Sequence, residues 1–188
     1  MSDSQPPTAL RREAPFDPHM DREDTAESDG RATTIRELTT GAAWDAAVPL
    51  LRQLWQDADA AFVRSWRDEP DYRLFGLYVA DGAGGEADGR DVGDGGEGEA
   101  GTGSLVGVGV SVQRVLHRRH AWVHDLVVDE ARRSEGFGTE LLAFVERWAG
   151  ERDCEYVALA NHIDNDDALA FYERAGMDRW GYVVEREL

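Results

Sequence analysis

Two spacings of apolar residues alternate along this chain and lay out its elements. Thr33–Leu38 reads as a first strand. Trp44, Val48, Leu51, Leu54 and Trp55 recur at helical spacing, and Phe62 and Trp66 continue it beyond Asp57-Ala58-Asp59. The pattern predicts two helices within 42–68, broken near Asp57. Tyr72–Ala80 and Ser104–Gln113 read as a strand and its return, with Gly107 and Gly109 on the face opposite Val106, Val108 and Val110, open to close approach. His120–Val128 reads as one strand. Leu141, Leu142, Phe144, Val145, Trp148 and Ala149 mark a helix over 137–150, and Glu155–Ala160 a further strand. Asp166–Ala175 is a short helix with acids in its first turn and Gly176 as its stop. Trp180–Glu187 is expected to close the sheet. The order β-α-α-β-β-β-α-β-α-β is α/β with a hairpin meander in its middle, unlike a doubly wound parallel sheet.

Two stretches stand outside this pattern. Residues 1–31 carry Pro, Ser, Asp, Glu and Thr with scattered apolar residues and are expected to be a largely disordered acidic tail. Residues 81–103 are a low-complexity run of Gly, Asp and Glu, expected to be a mobile hairpin insertion. The remainder, 32–188, reads as one domain.

Charge narrows the partners. The 188 residues carry a net charge of -18, and all 20 basic residues are arginine. An acidic surface repels nucleic acid and anionic membranes, so neither is expected as a partner. Acid spread through a lysine-free chain suggests a halophilic source, where salt screens self-repulsion; a GC-rich genome gives the same composition. Cys154, the single cysteine, allows no intramolecular disulfide and fits a cytoplasmic protein. It reads as buried filler. A cysteine-rich zinc site is excluded, and the histidines lack metal-ligand spacing, so no metal is expected. No stretch is apolar enough to span a membrane, and the N-terminus has no signal-peptide core.

Candidate chemistry lies in Asp125–Thr139, DLVVDEARRSEGFGT. A short apolar strand gives way to a charged turn, and Gly136 and Gly138 then stand where the loop enters a helix. Backbone N–H groups there lack intrahelical partners and the helix dipole is positive, which suits phosphate. Glycines admit phosphate oxygens close to the backbone. A nucleotide P-loop is impossible without lysine.

Arg133-x-x-Gly136-x-Gly138 matches the Arg/Gln-x-x-Gly-x-Gly/Ala pattern of the GNAT N-acetyltransferase superfamily, and DLVVDEARRSEGFGTELL resembles that family's core motif. Asn165, Ala168, Tyr172 and Gly176 match, in order and spacing, a second motif of the family. The resemblance covers Thr33 to Leu188 and implies the acyl-CoA N-acyltransferase fold: a central mixed, mostly antiparallel sheet flanked by helices. It also implies acetyl-CoA as acetyl donor. Leu126, Val127 and Val128 would pair through their backbones with the pantetheine arm. Arg133 would open the pyrophosphate loop, and N–H groups of Ser134, Glu135, Gly136, Phe137, Gly138 and Thr139 would line it. Asn165, with Ala168 after it, would hold the cofactor arm, and Tyr172 would stand near the thioester sulfur. Glu135 departs from the family pattern, because an acid there weakens the pull on phosphate.

The implied activity is acetyl transfer to a primary amine of a small molecule or protein, by direct attack in a ternary complex. A protonated amine must first lose its proton, for which Asp125 and His124 are the candidate bases, expected on opposite faces of one strand. In the family the two N-terminal helices often wall the acceptor site; here Trp44, Trp55, Phe62 and Trp66 lie on them, and core packing is the role first expected of these aromatics, while Asp57 and Asp59 are candidate attractors of a cationic amine. The competing reading is a non-catalytic acyl-CoA-binding or regulatory module. Either fits a monomer or a homodimer.

Overall fold

The computed structural model describes residues 24–28, 31–80, 103–110, 114–115 and 118–186. Most of the expected tail and insertion, with Ser111–Gln113, His117 and Glu187, lie outside the described residues. The elements run β1 (Asp24–Ser28), β2 (Arg31–Glu37), α1 (Gly41–Leu54), α2 (Ala60–Ser65), a 3-10 turn at Trp66–Asp68, β3 (Leu74–Val79), β4 (Ser104–Val110), β5 (Arg114–Val115), β6 (Arg118–Val123) and β7 (Leu126–Val128). A 3-10 turn at Glu130–Arg132 then leads to α3 (Phe137–Gly150), β8 (Tyr156–Leu159) and α4 (Asp166–Arg174).

Two sheets result. One has the order β1-β2-β3-β4-β7 with every pair antiparallel. The other has the order β5-β6-β8, with β6 and β8 parallel from His120↔Tyr156 to Val123↔Leu159. The larger sheet is covered on both faces. Trp44, Ala47, Val48 and Leu51 of α1 pack with Leu74, Val108, Val110 and Val127. Phe137, Leu141, Phe144 and Val145 of α3 pack with Ile35, Phe75, Leu77 and Val106. Each helix thus buries one apolar stripe, as its spacing predicts. Thr40 caps α1, its hydroxyl accepting from the Ala43 N–H at 3.2 Å, and the buried Trp44 indole donates to the Leu38 carbonyl at 2.7 Å.

The strand alternation slips once. Leu77 pairs Gly107 while Tyr78 pairs Leu105, leaving Val106 as an extra residue in β4. Val106 therefore packs on the α3 side, together with Gly107 and Gly109, and only Val108 and Val110 face α1. The single-face reading of Val106, Val108 and Val110 fails at this bulge, because one extra residue reverses the alternation. The glycines do serve close approach: side-chain carbons placed on Gly107 and Gly109 would lie 2.8 and 3.5 Å from Leu141 of α3.

Three other expectations are corrected. Asp24–Ser28, assigned to the disordered tail, pairs with Ile35 to Arg31 as β1, so order begins within residues 1–31. His120–Val128 is two strands, β6 and β7, lying in different sheets. Trp180–Arg186 forms no strand; Trp180, Tyr182 and Val184 are 88 %, 96 % and 91 % exposed. Its β-forming residues find no ladder partner there, and a strand is made by pairing rather than by composition.

Candidate active site

The two sheets part at His124 and Asp125. Upstream, β6 pairs with β8; downstream, β7 pairs with β4. The Val110 N–H donates to the Asp125 carbonyl at 3.0 Å, and the Asp129 N–H to the Val106 carbonyl at 2.9 Å. Asp125 and Asp129 thus both bond toward β4. The period of two places Val127 with them and turns the N–H and C=O groups of Leu126 and Val128 the other way. That side of β7 has no strand partner among the described residues. The Arg133 guanidinium reaches it, donating to the Val128 carbonyl at 3.4 Å.

This open edge runs straight into the loop before α3. Ser134 has φ 67 and Gly136 φ 90, both left-handed. Gly136 is the N-cap of α3 and offers no side chain to the helix's first turn, so the N–H groups of Phe137, Gly138 and Thr139 are left for another acceptor. Glu135 does not turn its charge into this concavity unpaired. Its carboxylate accepts from Arg132 at 2.8 and 3.1 Å and also from Arg31. The Arg132 hydrogen bond first, then Arg31, holds the Glu135 carboxyl below its ordinary range. Arg31, at the start of β2, thereby fastens the N-terminal strand to the loop.

α4 crosses the same place. Phe171 lies against Gly138, with Val128 beside it, and its ring meets Tyr172 edge-on at 5.1 Å. Burial pushes the Tyr172 phenol above its usual range. Asn165, an exposed residue, is the N-cap, its Oδ1 accepting from the Ala168 N–H at 3.2 Å. Gly176, at φ 88, ends the helix: the Met177 N–H returns to the Tyr172 carbonyl at 3.0 Å and the Gly176 N–H to Glu173 at 3.1 Å.

A sequence model of the acetyltransferase (GNAT) family matches residues 44–177, spanning both helical layers, the split and α4. The chain belongs to the GNAT family. An uncharacterized N-acetyltransferase of Bacillus subtilis (strain 168), YhdJ, is 32 % identical over 74 residues, 39 % of this chain and 49 % of that protein; the match spans about half of that relative. Among solved structures, aminoglycoside N-acetyltransferase AAC(6')-Iy in complex with CoA superposes with TM-score 0.64 at 15 % identity, covering 85 % of this chain and 96 % of its own. The aminoglycoside acetyltransferase meta-AAC0020 from an uncultured soil metagenomic sample, in complex with sisomicin, gives 0.60 at 16 %, covering 83 % and 95 %. A transcriptional regulator from Bacillus halodurans C-125 gives 0.60 at 19 %, covering 83 % and 99 %. At such identities the likeness is one of fold, and it is the acetyltransferase fold.

In this GNAT chain the two candidate bases differ sharply. His124 is exposed, whereas Asp125 is buried at 7 % exposure. Both Asp125 oxygens accept hydrogen bonds, Oδ1 from the Trp55 indole and Oδ2 from the Tyr72 hydroxyl at 2.7 Å. Burial, and then the Asp125 charge, push the Tyr72 phenol far above its usual range, so it stays a donor. Beyond Trp55 the chain breaks between α1 and α2 around a cavity of about 650 Å³ bordered by Trp55, Asp57, Asp59 and Phe62. Trp55 and Phe62 are each 56 % exposed and wall it, while Trp44 is buried core. Asp59 is the N-cap of α2, accepting from the Phe62 N–H at 2.7 Å. Sequence reasoning missed Tyr72 and Gln53, whose Oε1 accepts from the Glu130 N–H at 2.9 Å. Neither carried a sequence signal, since each acts through a partner more than fifty residues away. Among the described residues, no three His, Cys, Asp or Glu side chains gather to hold a metal ion, and no helix is long and apolar enough to cross a membrane.

Proposed function

We propose that this protein transfers the acetyl group of acetyl-CoA to a primary amine, by direct attack within a ternary complex. The observation that carries the reading is a strand edge, β7, without a strand partner among the described residues, followed after one 3-10 turn and a loop by a helix N-terminus that no side chain caps. An edge strand accepts an extended amide-bearing chain as it would another strand. A bare helix N-terminus accepts an anion. A pantetheine arm followed by a pyrophosphate has those two properties in that order, so the residues fit the group. Leu126 and Val128 bind the arm through backbone groups, the N–H groups from Ser134 to Thr139 hold the phosphates, and the Asn165 amide reaches the arm. Acetyl-CoA supplies an acetyl group activated as a thioester. Tyr172, kept protonated by its burial, donates to the departing sulfur. His124, exposed where the sheets part, takes up the proton of the incoming ammonium. The cavity beside Trp55, flanked by Asp57, suits a cationic small-molecule amine. Support comes from fold neighbours named for acetylating aminoglycosides, one of them in complex with CoA.

The test is release of free thiol from acetyl-CoA across a panel of amino acids, polyamines, aminoglycosides and peptide N-termini, alongside calorimetric titration of acetyl-CoA. Binding with turnover of at least one amine supports the reading. Tight binding with no thiol released by any amine replaces it with a non-catalytic acyl-CoA-binding module.

A further inference from the structure

The last turn of α1 is fastened across both ends of β7. Where β7 begins, Asp125 accepts from the Trp55 indole; where it leaves, the Glu130 N–H donates to Gln53 Oε1 at 2.9 Å. Asp125 also accepts from Tyr72, whose ring lies 5.1 Å from Trp66, 6.0 Å from Trp44 and 6.1 Å from His124, all between α1, α2 and the split. A buried carboxylate with two donors on its two oxygens is held in one orientation, and it holds its donors equally. Trp55 is the C-cap of α1, so its ring is both the carboxylate's partner and a wall of the α1–α2 cavity.

We propose that Asp125 is a positioning residue: it registers Trp55, and through it the wall of the acceptor cavity, against the open edge of β7. The inference rests on the acetyl-transfer reading above. It assigns Asp125 a role distinct from proton abstraction, because the oxygens a base needs facing the amine are committed to Trp55 and Tyr72. A shift of the Trp55 ring widens the gap between the cavity and the strand edge, and geometric error of that kind weakens acceptor binding and attack together.

The test compares Asp125→Ala, which removes both acceptors, Trp55→Phe and the double variant in the full chain. Hydrogen exchange of the tryptophan indoles by nuclear magnetic resonance is read without any substrate. In wild type the Trp55 indole should exchange more slowly than that of the exposed Trp180; in Asp125→Ala it should approach the Trp180 rate while Trp44 stays protected. Acetyl-CoA affinity should be unchanged in every variant. The acceptor KM should rise about tenfold or more, the loss expected of one charge-assisted hydrogen bond. The double variant should be no worse than the worse single one, since both remove the same link. The pH profile of kcat should keep its acidic limb. Loss of that limb with a kcat fall of a hundredfold or more and unchanged acceptor KM makes Asp125 the base and overturns the proposal. Fast Trp55 exchange already in wild type overturns it too. If Asp125→Ala fails to fold, Trp55→Phe alone decides: unchanged acceptor KM refutes the proposal. A wild type that turns over no amine refutes the acetyl-transfer reading instead, and indole exchange still reports on the link.

Discussion

The Phe171 ring stands 3.4 Å from the point a side-chain carbon on Gly138 would occupy. The second family motif thus packs directly on the first. A methyl group at that distance is a snug contact, but the branched carbons of valine reach further and push the ring away. Gly138→Ala should keep acetyl-CoA binding, and Gly138→Val should lose it by displacing α4, Asn165 and Tyr172 together. Calorimetric titration of the folded variants checks this; equal affinity in Gly138→Val would show that the packing of α4 on this glycine does not support cofactor binding.

Leu141 makes a second glycine obligatory. A carbon on Gly107 would lie 2.8 Å from Leu141 Cδ1, and Leu141 is fully buried. Gly107→Ala should cost about 1–3 kcal/mol by overpacking. Gly109→Ala, with 3.5 Å available, should change stability by less than about 0.5 kcal/mol. Urea denaturation separates the two.

Tyr172→Phe should lower turnover roughly ten- to a thousandfold, the span of general acid catalysis, with acetyl-CoA affinity kept. The expected readout is kcat at saturating donor, with chemistry shown to be rate-limiting. Unchanged kcat would leave Tyr172 as packing beside Phe171.

Alkali should unfold the protein through Tyr72 and Tyr172. Both phenols are held protonated in the fold, Tyr72 by burial and then Asp125, Tyr172 by burial. Above pH about 10 the unfolded chain releases those protons while the native state keeps them, so stability falls as pH rises. Below about 10 neither state releases them and stability is flat in this respect. The urea midpoint should hold up to pH about 10 and drop as pH rises beyond it, and Tyr72→Phe should flatten that slope.

Freeing the arginines at the loop should strengthen anion binding. Arg132 and Arg31 are engaged by Glu135. In Glu135→Gln they become available to phosphate, so acetyl-CoA should bind several-fold tighter at low salt. The gain should vanish near 1 M salt, where the Debye length is about 3 Å. Affinity measured across a salt series decides it.

What was legible in the sequence was punctuation. Asn165, Ala168, Tyr172 and Gly176 turn out to be the N-cap, its backbone donor, the last-turn carbonyl and the left-handed stop of α4. Such features are local, so spacing alone conveys them, and α3 likewise falls over 137–150 as its periodicity implies. The split at His124 was not legible. His124-Asp125 interrupts the apolar residues of His120–Val128, but a polar pair inside one strand reads the same until the different partners of β6 and β7 are seen. Val106 was misread for the same reason, as a bulge depends on the strand opposite. The Asp125 hub joins residues 55, 72 and 125, and no local pattern links them.

β7 is three residues long, bounded by the departure of β6 on one side and the turn at Glu130–Arg132 on the other. An unpaired sheet edge usually invites a foreign chain, and proteins guard theirs with charge, proline or cover. Here brevity is the guard. With only Leu126 and Val128 facing outward, the edge offers too few rungs to seed a stack of intruding strands. It offers enough for a slender molecule carrying an amide or two. The same truncation that discourages aggregation therefore limits whatever pairs there to a few rungs.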